Sequence, residues 1–222
     1  MTSSEISRYA IQLKQNLAKG KNRLDCNKTR QLVDDFEYYD VVDSLLDSLV
    51  DVTLGKEVVK FLIVCSLSKF KSTRDSATQL LGKSRILRKE VLNALRSRLG
   101  DSWWVVRCSA MYSLSQLKAQ EYTDDIINRY SSWSFIEREW VLRSLIMLGD
   151  PKASDFLLKT FKFARSMNVK YLAAGALVAI GFEEHETFLR NRIAVEKDID
   201  LKETLESAFE MLGELRGCKF KM

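Results

Sequence analysis

Proline and glycine are scarce: the 222 residues hold 1 Pro and 9 Gly, below the roughly 5% and 7% of ordinary chains. Sandwiches and barrels built on tight turns spend many of both, which argues against an all-β architecture. Histidine occurs once, as His185, and the four cysteines (Cys26, Cys65, Cys108, Cys218) stand far apart with no CxxC pair. That supply offers no zinc-ligand set and no obvious thiol–base pair, and it suits thiols kept reduced inside a cell. There is no run of about 18 apolar residues, so no membrane span is expected. The opening MTSSEISRYAIQLKQN lacks the apolar core of a secretory signal, so a cytoplasmic location is expected. GxxxxGK[ST], GxGxxG and GxSxG are missing as well, and neither a metal nor a cofactor is expected. What remains is ample: 46% hydrophobic residues, with 35 Lys+Arg against 30 Asp+Glu, can bury a sizeable core.

The chain repeats itself. From Arg107, small or apolar residues follow at +3, +7 and +10 (Ala110, Leu114, Leu117). The same template starts at Arg138 (Val141, Leu145, Leu148), at Lys170 (Ala173, Leu177, Ile180) and at Lys202 (Leu205, Phe209, Leu212). A weaker copy starts at Arg74 (Ala77, Leu81, Ser84). These offsets mark one face of an α-helix, and the starts recur every 31 to 33 residues. A second apolar-periodic segment precedes each of them, at 57–67, 86–99, 124–130, 153–163 and 186–195. Each repeat therefore reads as a helical hairpin that covers its apolar face only by stacking on its neighbours. Asp101 is expected to cap the helix that follows it, and Gly149-Asp150-Pro151 to stop one helix and open the next. Residues before 56 read as further helices, at about 4–19, 28–36 and 38–50.

LGDPKASDFLLKTF followed by VKYLAAGALVAIG, and GDSWWVVRCSAMYSL, resemble HEAT repeats, in particular the short bacterial type named after phycobilisome lyases. That type places an Asp six residues before a basic residue, as Asp101 and Arg107 are placed here, and Glu196 and Lys202 keep the pairing. The acid's place holds Ser68, Ser132 and Ala164 in the other copies. The resemblance covers residues 56–215. It implies an all-α, right-handed α-α superhelix of about six hairpins, a single solenoid over 1–222. Atypical capping helices would fill 1–55, five repeats 56–215 and a tail 216–222. It implies little about activity, since this fold hosts scaffolds, inhibitors, lyases and DNA-repair enzymes.

Charge is distributed in blocks. Residues 34–51 carry seven acids and no Lys or Arg, and Asp40, Asp43, Asp47 and Asp51 share the helix face opposite Val42, Leu45, Leu46 and Leu49. Like charges at that spacing weaken a helix by about 0.2–0.5 kcal/mol per pair, so the stripe is expected either to face solvent or to meet a basic partner. Residues 69–98 carry nine cations against Asp75 and Glu90. There Lys83, Arg85, Arg88 and Lys89 could follow a nucleic-acid backbone or answer the acidic stripe of the same chain. The basic column Arg74/Arg107/Arg138/Lys170/Lys202 repeats with the core template, so its expected role is to cap the preceding turn. Trp103, Trp133, Tyr112, Trp140 and Tyr171 fall outside the template face. Tyr112 and Trp140 with Arg143 suit anchors for a protein partner, or else fill the seams between repeats.

A second resemblance is to HEAT-like alkylpurine DNA glycosylases. Asp75, the Gly82 that ends its helix, Arg107 and Trp140 follow the order of that family's catalytic Asp, Arg and Trp. The family's paired Trp ahead of the Asp is Phe70-Lys71 here, a ring exchanged for a cation. The expectation for function is a non-catalytic interaction module, a monomer or weak homo-oligomer, binding a basic protein through Asp40, Asp43, Asp47, Tyr112, Trp140 and Arg143. The alternative is a nucleic-acid-binding or repair protein using Lys83, Arg85, Arg88 and Lys89, with Asp75, Arg107 and Trp140 as catalytic candidates.

Overall fold

The computed structural model describes residues 3–19, 25–35, 37, 39–49, 54–131 and 134–180, and beyond them 187, 190–191, 193–195, 197, 199, 202–203 and 205–207. Among these every regular element is helical and no strand occurs. Asp51, Ser132, Trp133, His185, Glu186, Glu196, Phe209, Leu212, Cys218 and the expected tail 216–222 lie outside the described residues. The chain divides into two compact units, Met1–Leu117 and Lys118–Met222.

The first unit holds α1 (Ser3–Lys19), α2 (Cys26–Val33), α3 (Tyr39–Asp47), α4 (Lys56–Cys65), α5 (Lys71–Leu81), α6 (Arg88–Arg98) and α7 (Trp104–Gln116). Successive pairs α2/α3, α4/α5 and α6/α7 are hairpins, and they stack in two layers, α2–α4–α6 and α3–α5–α7. The α2/α3 hairpin supplies a third rung in a region without the template. α1 lies on α2, where the Tyr9 hydroxyl and Thr29 Oγ1 are 2.6 Å apart.

The second unit holds α8 (Thr123–Ile127), α9 (Phe135–Leu148), α10 (Ser154–Phe163) and α11 (Met167–Ile180). α8 pairs with α9, α10 with α11, and α9 with α11. The segment expected to be helical over 124–130 has only four α-helical residues, the end of Thr123–Ile127, then a 3-10 turn at Asn128–Ser131.

The template predicts burial well. Ala77, Ala110, Leu114, Val141, Leu145, Ala173, Leu177 and Leu205 are all fully buried. The punctuation is equally local: Gly149 takes φ +59° at the C-terminus of α9, a conformation that suits glycine. Asp150 then accepts from the Lys152 backbone N–H, with Pro151 opening the next turn. Gly82 is required for a different reason. A Cβ there would lie 2.8 Å from Ser113 Cβ, an atom fixed by the α7 backbone, so a side chain at this place would force α5 and α7 apart.

Two expectations need correction. Trp103, not Asp101, occupies the cap position of α7, and it makes no side-chain cap bond. Asp101 lies two residues earlier and pairs with Arg74 of the preceding hairpin and with Arg98, while Arg107 takes only its backbone carbonyl. The Asp101 carboxylate therefore links repeats through Arg74 and also holds its own turn, where it accepts from the Trp103 N–H at 2.9 Å.

Candidate partner-binding surfaces

Two members of the basic column, Arg74 and Arg107, hold the turn ahead of their own helix, the role expected of the column. Arg74 Nη1 donates to the carbonyls of Ser68 (3.0 Å) and Lys69 (3.1 Å) ahead of α5. Arg107 Nη1 donates to those of Asp101 (2.7 Å) and Ser102 (3.1 Å) ahead of α7. Arg74 also sends Nε and Nη2 to the two carboxylate oxygens of Asp101, each at 2.8 Å, in a bidentate fork. Arg98 Nη1 adds a contact at 3.2 Å. Burial on its own would raise the Asp101 pKa. The Arg74 hydrogen bond, the Trp103 N–H and the two guanidinium charges outweigh it and hold the carboxyl below its usual value. Burial pulls the Arg98 pKa down, against the pull of Asp101.

The catalytic candidates of the glycosylase resemblance are engaged in packing. Ser109 Oγ donates to Asp75 Oδ1 at 2.6 Å and Gln79 Nε2 to Oδ2 at 3.1 Å, binding α7 to α5. Arg107 holds the turn just described. Trp140 is half-buried on α9 of the other unit.

The acidic face is borne by α3, which presents Asp40 and Asp47 to solvent and Asp43 at half exposure, opposite buried Val42, Leu45 and Leu46. Among the described residues none of these three carboxylates has an ion-pair or hydrogen-bond partner. Asp34, at the head of the acidic block, is instead used internally: it accepts from Arg30 Nε at 2.6 Å and from the Lys69 backbone N–H at 2.9 Å.

The basic block is partly internal. Arg74 and Arg98 converge on Asp101, and Arg88, though exposed, donates from Nη1 to the Leu117 carbonyl at 3.1 Å. Lys83, Arg85 and Lys89 are exposed. A feature that charge counting missed lies beside them, where Lys69 Nζ stands 5.0 Å from the Phe70 ring centroid and Lys71 Nζ 5.0 Å from that of Trp103. With Arg74 and Ser102 these residues line an open basin of about 480 Å³. The KFK triplet at 69–71 was the available sequence signal; its convergence with Trp103 needed the fold.

The remaining anchor candidates separate. Tyr112 is half-buried on α7 in the first unit, while Trp140 (half-buried) and Arg143 (exposed) lie one turn apart on α9 in the second. Cys65 and Cys108 are buried packing thiols and Cys26 an exposed one; burial pushes the Cys65 thiol well up. No group of His, Cys, Asp or Glu that could hold a metal occurs among the described residues. No helix among them is long and apolar enough to cross a membrane.

No protein-family model matches the chain, and no curated protein matches it in sequence. Among solved structures, an engineered protein determined by the Northeast Structural Genomics Consortium is similar, with a TM-score of 0.51 at 13% identity, over 92% of this chain and 96% of that one. At that identity the likeness concerns fold alone, and what fold and surfaces define is an all-α protein of stacked helical hairpins.

Proposed function

We propose that this is a non-catalytic interaction module of HEAT-like repeats, forming one α-solenoid in the cytoplasm, monomeric or weakly associating, and binding a basic protein partner. One observation carries the reading: the acidic face of α3, exposed and unpartnered among the described residues. Three carboxylates on one face repel each other in the free protein, a cost that a cationic partner removes. Such a face steers association more than it adds affinity. The occupation of Asp75 and Arg107 by packing contacts supports a binding role over base excision.

The test uses partner isolated on the wild-type protein and then measured in purified form. Replacing Asp40, Asp43 and Asp47 together by Asn should slow association and flatten its salt dependence, leaving the helical circular dichroism unchanged or slightly firmer. An unchanged on-rate at low salt would remove the acidic face from the interface.

The second reading, nucleic-acid binding, is favoured by the Lys69/Phe70/Lys71/Trp103 basin, where cations lie on rings that could also stack bases. If it holds, charge reversal of Arg85, Arg88 and Lys89 should weaken DNA binding. Each lost phosphate contact should take about 0.9 from the log–log salt slope. DNA binding lost in that variant, with protein binding indifferent to the acidic triple, would reverse the order of the two readings.

A further inference from the structure

The two units repeat one arrangement with one part exchanged. Arg74 is the fourth residue of α5, and Asp101 stands three residues ahead of α7, the helix packed on α5. In the second unit Arg138 is the fourth residue of α9, and the position three residues ahead of α11 is Ala164. Where Arg74 delivers Nε and Nη2 to a carboxylate, the equivalent position for Arg138 holds an alanine, and the next residue is another cation, Arg165. The consequence is visible in the hydrogen bonding: Arg138 Nε is buried and has no acceptor. A buried donor without a partner is uncommon in native proteins and costs free energy.

A cleft of about 560 Å³ opens at this place, lined by Arg138, Ala164 and Arg165 and, further round, by Lys159 and the rings of Tyr130, Phe135, Phe156 and Phe163. None of its lining residues is acidic. Tyr130 and Phe156 pack edge to face with centroids 5.0 Å apart and form one wall, and Phe135 and Phe163 are exposed at the rim. The volume falls in the range of small-molecule sites, which are mostly apolar with a few convergent polar groups. Three cations with no counter-ion in the lining favour a dianion over a single carboxylate, and a guanidinium fork matches phosphate oxygens bidentately.

We propose that this cleft binds a small aromatic phosphate monoester, of about the size of a nucleoside monophosphate. Its phosphate takes the place that Asp101 fills in the first unit and accepts from Arg138, and its ring lies against the aromatic wall. The site is independent of the acidic face of α3 and of any protein partner.

Isothermal titration of the full chain with phenyl phosphate, AMP and inorganic phosphate tests it. Phenyl phosphate or AMP should bind at least about tenfold tighter than inorganic phosphate. Arg138→Gln should weaken that binding by about tenfold or more, the loss expected for one charged hydrogen bond. Ala164→Asp supplies the missing carboxylate from within, and should abolish ligand binding while raising the melting temperature. That variant keeps the test decisive if Arg138→Gln fails to give the wild-type helical spectrum. Phenyl phosphate and AMP binding no tighter than inorganic phosphate, or a folded Arg138→Gln protein with wild-type affinity, would overturn the proposal. So would full affinity in Ala164→Asp.

Discussion

Asp101→Ala is expected to destabilise the protein by about 3–5 kcal/mol, the usual cost of removing one partner from a buried ion pair. The side chain is 3% exposed, against 11% for Arg74 and 16% for Arg98, so both guanidinium groups would be left largely out of water without their shared anion. The same carboxylate accepts from the Trp103 N–H, so the turn into α7 loosens at the same time. Urea unfolding measures the loss, and a double-mutant cycle with Arg74→Ala isolates the coupling. A loss under about 1 kcal/mol would mean the cluster behaves like an exposed surface pair. The pH dependence has a definite sign. The Asp101 carboxyl is held below its usual value in the fold, so the stability it contributes is complete above the unfolded carboxylate value of about 3.9. It is lost as the pH falls through the lower, folded value. Asp101→Asn should lack that acid-side decline.

The same residue shows how far sequence carried the structure. Helix-face spacing located the buried residues because a repeated helix must place the same offsets inward: Ala110, Leu114, Val141 and Leu145 are all buried as the template implies. Spacing along the chain could not show that Asp101 reaches back 27 residues to Arg74, because that bond depends on how one hairpin stacks on another. Hydrogen bonding on α7 likewise depends on the packed neighbours. Ser109, Ser113 and Ser115 are polar yet all three are buried. Their hydroxyls donate to Asp75, to the Thr78 carbonyl and to the Met111 carbonyl. Small hydroxylated residues let α7 approach α5 closely while their hydroxyls find acceptors. Of the candidate surfaces, the acidic stripe was legible because three carboxylates opposite an apolar face need no tertiary information. For the Arg138 cleft only the missing acid at Ala164 was legible; the cleft itself forms where α9, α10 and the turn into α11 converge.

Leu145→Ala and Leu177→Ala should each cost about 2–5 kcal/mol, the range for truncating a buried leucine. Both side chains are fully buried, Leu145 on α9 and Leu177 on α11, the two helices that pack together in the second unit. Each stands at the +7 offset of its repeat, so the pair tests the template as well as the packing. The cost is highest where surrounding atoms cannot collapse into the vacated space. Here Leu142, Ala173, Ala174 and Ala176 are also fully buried on the same two helices, and short alanines have little reach to refill a cavity. Repeat proteins couple mainly between neighbours, so the damage should begin locally. In amide hydrogen exchange α9 and α11 should lose protection first, while α5 and α7 keep theirs until global unfolding. Losses below about 0.5 kcal/mol at both leucines would mean that the +3/+7/+10 face is not what holds the hairpins together. Equal loss of protection in α5 and α7 would mean that the two units unfold as a single cooperative body, beyond nearest-neighbour coupling.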